Sequence, residues 1–143
     1  VVHHICPDEV RDMYAGLFRA LMPGGLCLTV TRPKVDIDYP FFAGAKTVWM
    51  RSQPDVAEWV EAMKWGGFSN VDVTIHSFPV VMPLAQWTGM IRNRMWSTFS
   101  SENFTDEEIE EGIREIEAKY ASKDSGDISF SERLIFLCGI NLP

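Results

Sequence analysis

Two adjacent histidines, His3 and His4, have side chains suited to acid–base chemistry. An imidazole with an unperturbed pKa of about 6.5 exchanges its proton near neutral pH, so either ring could orient or deprotonate a bound molecule. A structural interpretation competes with this one, because histidines at a strand end can also simply bond to the backbone. The third histidine, His76, alternates with apolar residues and is predicted to lie on the surface of a strand.

A second candidate group combines two arginines with tryptophans. Arg92 and Arg94 lie near Trp87 and Trp96 in a predicted helix, and a guanidinium group matches the geometry of a carboxylate. Residues two positions apart do not share a helix face, so we expect only Arg94 to point inward, with pairing to glutamate or solvent as the alternative. A set of aromatic residues could line a binding pocket or form ordinary core: Tyr39, Phe41, Phe42, Trp49, Trp87 and Trp96.

The composition excludes several classes of protein. The 143 residues are 46% hydrophobic, which suits one globular domain with a substantial core. The net charge is -7 and Lys and Arg are not clustered, so neither nucleic acid nor an anionic membrane is expected as a partner. The three cysteines are an odd number without CxxC spacing, which predicts reduced thiols, no metal site and a cytoplasmic protein.

Hydrophobic periodicity predicts alternating helices and strands. Helical patterns cover residues 7–21, 54–66, 84–95 and 105–120, and a short helix is expected within 41–50. Strand patterns cover residues 1–5, 26–31, 71–77 and 134–140, and 26–31 is apolar enough to be covered on both faces. This order predicts an α/β domain with a parallel sheet and helices on both faces. The last strand follows a long helical stretch and need not be parallel.

Two glycine pairs, Gly24-Gly25 and Gly66-Gly67, both follow predicted helices. A nucleotide-binding turn leads from a strand into a helix, whereas glycines directly after a helix end it. The sequence therefore contains no glycine-rich turn of the nucleotide-binding kind.

Residues 21–28, Leu-Met-Pro-Gly-Gly-Leu-Cys-Leu, resemble the turn into the fifth strand of class I S-adenosylmethionine-dependent methyltransferases. Residues 1–5, Val-Val-His-His-Ile, are similar to the end of the fourth strand in that family. The resemblance implies a partial Rossmann-like sheet of strands four to seven, the last of them antiparallel, with a helical cap inserted at about 83–121. Residues 1–143 would then be the C-terminal portion of one methyltransferase domain, because the family's first three strands and glycine-rich cofactor loop are missing.

The resemblance also implies roles for particular residues. His3 and His4 would lie near the transferred methyl group as candidate catalytic residues, and Val2 and His3 would contact S-adenosylmethionine. A small-molecule methyl acceptor would be bound by four side chains taken from the aromatic and arginine groups: Tyr39, Trp49, Trp87 and Arg94. A carboxylate on that acceptor is suggested by the arginines alone. The isolated chain is not expected to bind S-adenosylmethionine tightly.

Two other classes of function stay open. The chain could be a non-catalytic, methyltransferase-like subunit that pairs with a second copy or another chain through the exposed strand edge at residues 1–5. It could also be a small-ligand-binding α/β domain unrelated to methylation. The methyltransferase interpretation requires strand 26–31 to lie between strands 1–5 and 134–140.

Overall fold

The computed structural model of the chain describes residues 5–120 and 126–142. Its elements are, in chain order, α1 (Pro7–Ala20), β1 (Leu26–Thr31), α2 (Ala43–Ser52), α3 (Val56–Trp65), β2 (Val71–Pro83), α4 (Leu84–Arg92), α5 (Asp106–Tyr120) and β3 (Asp127–Ile140). A short 3-10 turn covers Ser97–Phe99. The positions of the helices and strands predicted from residue 7 onward are confirmed, although α4 ends three residues early and β2 and β3 extend beyond 71–77 and 134–140. Ile5, the last residue of the first predicted strand, lies in a bend. Residues 1–4 of the first predicted strand lie outside the described residues.

Side-chain caps fix where two of the helices begin. At α3, Asp55 accepts a hydrogen bond from the Ala57 amide at 3.1 Å, and Glu58 accepts one from the Asp55 amide at 2.7 Å. At α5, Glu108 accepts from the Thr105 amide at 2.8 Å, and the Glu108 amide donates to the Thr105 hydroxyl at 3.2 Å. Each reciprocal pair satisfies amides that a helix start leaves without partners.

The three strands form one sheet in the order β1-β3-β2. Strand β1 pairs antiparallel with β3, so that Leu26 lies opposite Ile140 and Thr31 lies opposite Ile135. This antiparallel direction of the last strand is the one that the methyltransferase resemblance implies, and the order of the elements alone left it open. The chain between β2 and β3 holds two helices, α4 and α5, and a connection of that length lets the last strand run in either direction.

The chain divides into two compact units. Unit 1 comprises residues 1–35, 53–77 and 133–143, and unit 2 comprises residues 36–52 and 78–132. The cap predicted at about 83–121 falls within unit 2, together with residues 36–52, which the sequence analysis did not group with it.

Unit 1 has its core where α1 and α3 pack on one face of the strands. Eight buried residues form this core: Val10, Tyr14, Trp59, Ala62, Met63, Phe68, Ile135 and Leu137. The buried Tyr14 hydroxyl is hydrogen-bonded to the Thr29 hydroxyl at 2.7 Å, which ties α1 to β1. A Cβ at Gly139 would lie 2.8 Å from the Phe68 ring, so the packing of that ring against β3 requires glycine.

The opposite face of β1 is exposed. Leu26, Leu28 and Val30 are 61%, 58% and 49% exposed, because alternation along the strand directs them away from the two helices. No helix of the described residues covers this face of β1. The prediction that the strand is covered on both faces is therefore wrong, and the prediction of helices on both faces of the sheet is wrong at β1. We call Leu26, Leu28 and Val30 the bare face of β1.

Every helix in the described part of the chain is too short or too polar to cross a lipid bilayer.

Candidate functional site

The candidate site lies in unit 2, whose core consists mainly of aromatic rings. The residues before α2, together with α2, α4, the 3-10 turn and β3, supply the rings of this aromatic core: Tyr39, Phe41, Phe42, Trp49, Trp87, Trp96, Phe99 and Phe130. Phe41 stacks on Trp87 with ring centroids 5.8 Å apart and meets the edge of Phe99 at 5.1 Å. The structure therefore brings together all six aromatic residues that the sequence suggested as one group.

Three predicted substrate contacts lie deep in this core. Tyr39, Trp49 and Trp87 are 5%, 4% and 2% exposed. The Trp87 indole N–H donates to the Pro40 carbonyl at 2.8 Å, and the Tyr39 hydroxyl donates to the Glu132 carboxylate. Both polar groups thus have hydrogen-bond partners within the protein, and all three rings pack as part of the aromatic core. Their contact with an acceptor stays a prediction.

The arginines are placed differently from the sequence prediction. Helix α4 ends at Arg92, three residues before the predicted end, and Arg94 has a left-handed backbone with φ of 52°. Arg94 donates to Asp106 at 2.7 Å and also to the Phe99 carbonyl, so it joins the segment after α4 to the start of α5. The placement of Arg94 on the helix is thus wrong, and its contact with a substrate stays a prediction.

Arg92 forms a two-pronged ion pair with Glu110 of α5. The nitrogen–oxygen distances are 2.6 Å and 3.0 Å, and both side chains are about half exposed. Hydrogen bonding from Arg92 lowers the pKa of Glu110 below its usual range, and the same bond raises the pKa of Arg92. Arg92 therefore pairs with a glutamate, which was the alternative to a ligand-facing position for these arginines.

A cavity of about 140 Å³ lies at the junction of α2 and α5 in unit 2. We call it the α2–α5 pocket, and it is lined by Pro40, Phe41, Ala43, Lys46, Glu115, Ile116, Lys119 and Tyr120. Pro40, Phe41 and Ile116 are buried and form its apolar part, while Lys46 is half-buried and Lys119 is exposed. The pocket thus combines an apolar floor with charged groups at its rim.

The charges at this rim are only partly paired. The Glu115 carboxylate accepts a hydrogen bond from the Ala43 amide at 3.1 Å and so satisfies a free amide at the start of α2. The Lys119 ammonium lies 5.6 Å from the centre of the Tyr120 ring. Within residues 5–120 and 126–142, neither Lys46 nor Lys119 forms an ion pair with a carboxylate.

The sequence alone does not predict this pocket, because no local pattern shows that α2 and α5 are neighbours. One signal was present in the sequence: Gly112 lies in the middle of α5, where glycine is otherwise unfavourable. A Cβ at Gly112 would collide with the Phe42 ring, so the glycine permits the close approach of the two segments.

The remaining candidates lie elsewhere. Val2, His3 and His4 fall outside the described residues, and their predicted roles stay predictions. His76 is exposed on β2, as predicted, with its ring 5.2 Å from that of Phe136.

The cysteines are free, and the described residues hold no cluster of three or more His, Cys, Asp or Glu side chains suited to a metal ion. Burial, reinforced by the nearby Cys138, raises the pKa of the Cys27 thiol. Cys27 is therefore a less reactive thiol than its type alone would suggest.

Comparison with known proteins gives a structural match and no sequence match. No protein-family model matches the chain, and no curated protein is similar to it in sequence. A crystal structure of a "putative methyltransferase" from Bacillus halodurans C-125 is similar with a TM-score of 0.52 at 18% identity. The alignment covers 100% of this chain and 67% of that one. At this identity the likeness shows the fold alone: the chain has a methyltransferase-like α/β fold.

Proposed function

We propose that this chain forms the C-terminal portion of an S-adenosylmethionine-dependent methyltransferase domain that acts on a small molecule. The observation that carries the proposal is the match of the entire chain to a methyltransferase-like structure. The antiparallel pairing of β1 with β3 supports it, because the resemblance of residues 21–28 implies that neighbour and that direction for the last strand.

The described residues do not form a complete site for S-adenosylmethionine. The turn at Gly24-Gly25 leads from α1 into β1, which is the reverse of the strand-to-helix turn that holds a nucleotide. We therefore propose that the glycine-rich loop of the cofactor site is supplied from outside this chain. When bound, S-adenosylmethionine would supply the methyl group.

The contribution of this chain would be alignment and exclusion of water. Methyl transfer is a displacement at carbon, and its rate depends strongly on how the acceptor is held relative to the methyl group. Unit 2 offers a wall of closely packed aromatic rings and a pocket beside it, which suits the binding of a small acceptor. His3 or His4 would serve as the base that removes a proton from the acceptor.

The proposal is tested by measuring the release of S-adenosylhomocysteine. The sample is the protein as isolated from its source organism. It is incubated with S-adenosylmethionine and a panel of small carboxylic acids and phenols. We expect release that depends on the acceptor, and a loss of about 100-fold in His3→Ala or His4→Ala if that residue is the base. His76→Ala is the matched control and should keep full activity, because His76 is an exposed residue of β2. Failure of that protein to bind S-adenosylmethionine at all would contradict the proposal.

A second candidate function is that of a non-catalytic, methyltransferase-like partner subunit. The bare face of β1 favours it, because contiguous exposed apolar side chains are typical of protein interaction surfaces. A stable dimer or complex in light scattering, together with no consumption of S-adenosylmethionine, would support this alternative. The third alternative, a ligand-binding α/β domain unrelated to methylation, would show ligand binding and no S-adenosylmethionine binding in any form of the protein.

A further inference from the structure

We propose that the α2–α5 pocket binds a small aromatic carboxylate. Its volume of about 140 Å³ has room for one small ring, and because the pocket is partly open to solvent, a charged group on the ring could stay at the rim. Phe41 and Ile116 are buried at its floor, and Pro40 completes an apolar surface of the kind on which an aromatic ring packs.

The lysines at the rim of the pocket favour a negatively charged ligand. Lys46 and Lys119 both line the pocket, and neither is paired with a carboxylate among the described residues. The chain carries a net charge of -7, whereas the lining of this pocket holds more lysine than acidic side chains. Glu115 also lines the pocket and keeps its negative charge when it accepts the Ala43 amide, so two lysines and one glutamate leave a net charge of +1 at the rim. A ligand with one negative group above an apolar ring matches this arrangement.

The pocket is a second candidate site for a carboxylate, beside the arginines, whose guanidinium groups already have partners. Arg92 is held by Glu110, and Arg94 is held by Asp106 and the Phe99 carbonyl. Lys46, one turn into α2, and Lys119, in the last turn of α5, both line the pocket and form no ion pair with a carboxylate of the described residues. The inference rests on the proposed function only in identifying the ligand as the methyl acceptor. The binding site itself does not depend on methyl transfer.

The test is an NMR titration of the ¹⁵N-labelled 143-residue chain with benzoate, without S-adenosylmethionine. We expect millimolar binding, with the amide shifts centred on Ala43, Lys46, Glu115 and Lys119. Benzamide has the same shape without the charge and should bind about tenfold more weakly, since a charge-assisted hydrogen bond is lost. Inorganic phosphate has the charge without the ring and should also bind more weakly.

Single substitutions locate the charge. Lys46→Gln and Lys119→Gln should each weaken benzoate binding about tenfold if both ammonium groups contact the carboxylate. Lys64→Gln is the matched control: Lys64 lies on α3 in unit 1 and pairs with Glu61 at 3.6 Å, so benzoate binding should not change. The amide spectra of all three variants report whether they remain folded.

The inference is overturned if millimolar benzoate shifts no amide of the pocket, if benzamide binds as well as benzoate, or if Lys46→Gln binds benzoate like the unchanged protein. These outcomes differ from failure of the proposed function. Benzoate can bind in a protein that transfers no methyl group, and methyl transfer can proceed with the same KM in Lys46→Gln if the acceptor binds elsewhere.

Discussion

Unit 1 and unit 2 differ in how they use their apolar residues. Unit 1 packs α1 and α3 on one face of its strands and leaves the bare face of β1 exposed. Unit 2 encloses its rings in the aromatic core and leaves a small pocket beside it, lined by two lysines that form no ion pair with a carboxylate in the described part of the chain. The difference indicates two kinds of surface: an apolar one suited to contact with another protein surface, and a charged concave one suited to a small ligand.

The largest expected effect is a difference in the free energy of unfolding between the substitution of a buried tryptophan and that of an exposed one. Trp87→Ala should lower the free energy of unfolding by about 4 kcal/mol, because a ring at the centre of the aromatic core is replaced by a cavity. Trp65→Ala is the matched control, since Trp65 is exposed at the end of α3, and should cost within about 0.5 kcal/mol. Urea denaturation followed by circular dichroism measures both. Equal losses would contradict the assignment of Trp87 to the core.

A second pair of substitutions tests the two faces of the sheet in unit 1. Leu137→Ala on β3 should cost about 3 kcal/mol, because Leu137 is fully buried under the helices. Leu28→Ala on β1 should cost less than about 1 kcal/mol, because its side chain is largely in water already. The same denaturation experiment applies. A large loss in Leu28→Ala would show that the bare face is covered in solution, and size-exclusion chromatography would then reveal an associated form.

A third pair compares two glycines inside helices of unit 2. Gly112→Ala should destabilise the protein by about 2 kcal/mol, since the added methyl group collides with the packed Phe42 ring. Gly89→Ala in α4 should be neutral or stabilise by up to about 1 kcal/mol, because nothing lies near its added Cβ and alanine favours the helix. Thermal unfolding distinguishes the two. A stable Gly112→Ala variant would mean that α5 does not approach Phe42 closely.

The smallest effect is the pH dependence of the Arg92–Glu110 pair. Arg92 lowers the pKa of Glu110 from its usual value of 4.5, so the pair stabilises the fold above that pH. This stabilisation is lost as the pH falls through the lowered pKa. In Glu110→Gln, the free energy of unfolding should therefore fall slightly less steeply as the pH is lowered than it does in the unchanged protein. The difference should shrink at high salt, because both side chains are half exposed. An identical pH dependence of the two proteins at low salt would contradict the pair.

The sequence predicted the elements well, because periodicity and capping act locally. The capping box at Thr105 and Glu108 and the apolar spacing of α1 each reflect contacts within one helix. The turn at residues 21–28 also pointed to the type of fold that the structural comparison supports.

Tertiary relations were harder to predict, because they depend on contacts between distant segments. The exposure of Leu28 has no local signature, and the antiparallel direction of β3 relative to β1 followed from the resemblance of residues 21–28 and not from hydrophobic periodicity. The pocket requires α2 and α5 to meet, and Lys46 and Lys119 are 73 positions apart in the sequence. Arg94 was misplaced because its left-handed backbone ends the helical pattern early.

Equilibrium dialysis with labelled S-adenosylmethionine tests the central claim most directly, applied to the 143-residue chain alone and to the protein as isolated from its source. The account predicts no retention of micromolar S-adenosylmethionine by the chain alone, and retention by the protein from its source. Micromolar binding by the chain alone would contradict the claim that its cofactor loop lies elsewhere. Absence of binding in both samples would contradict the methyltransferase proposal itself.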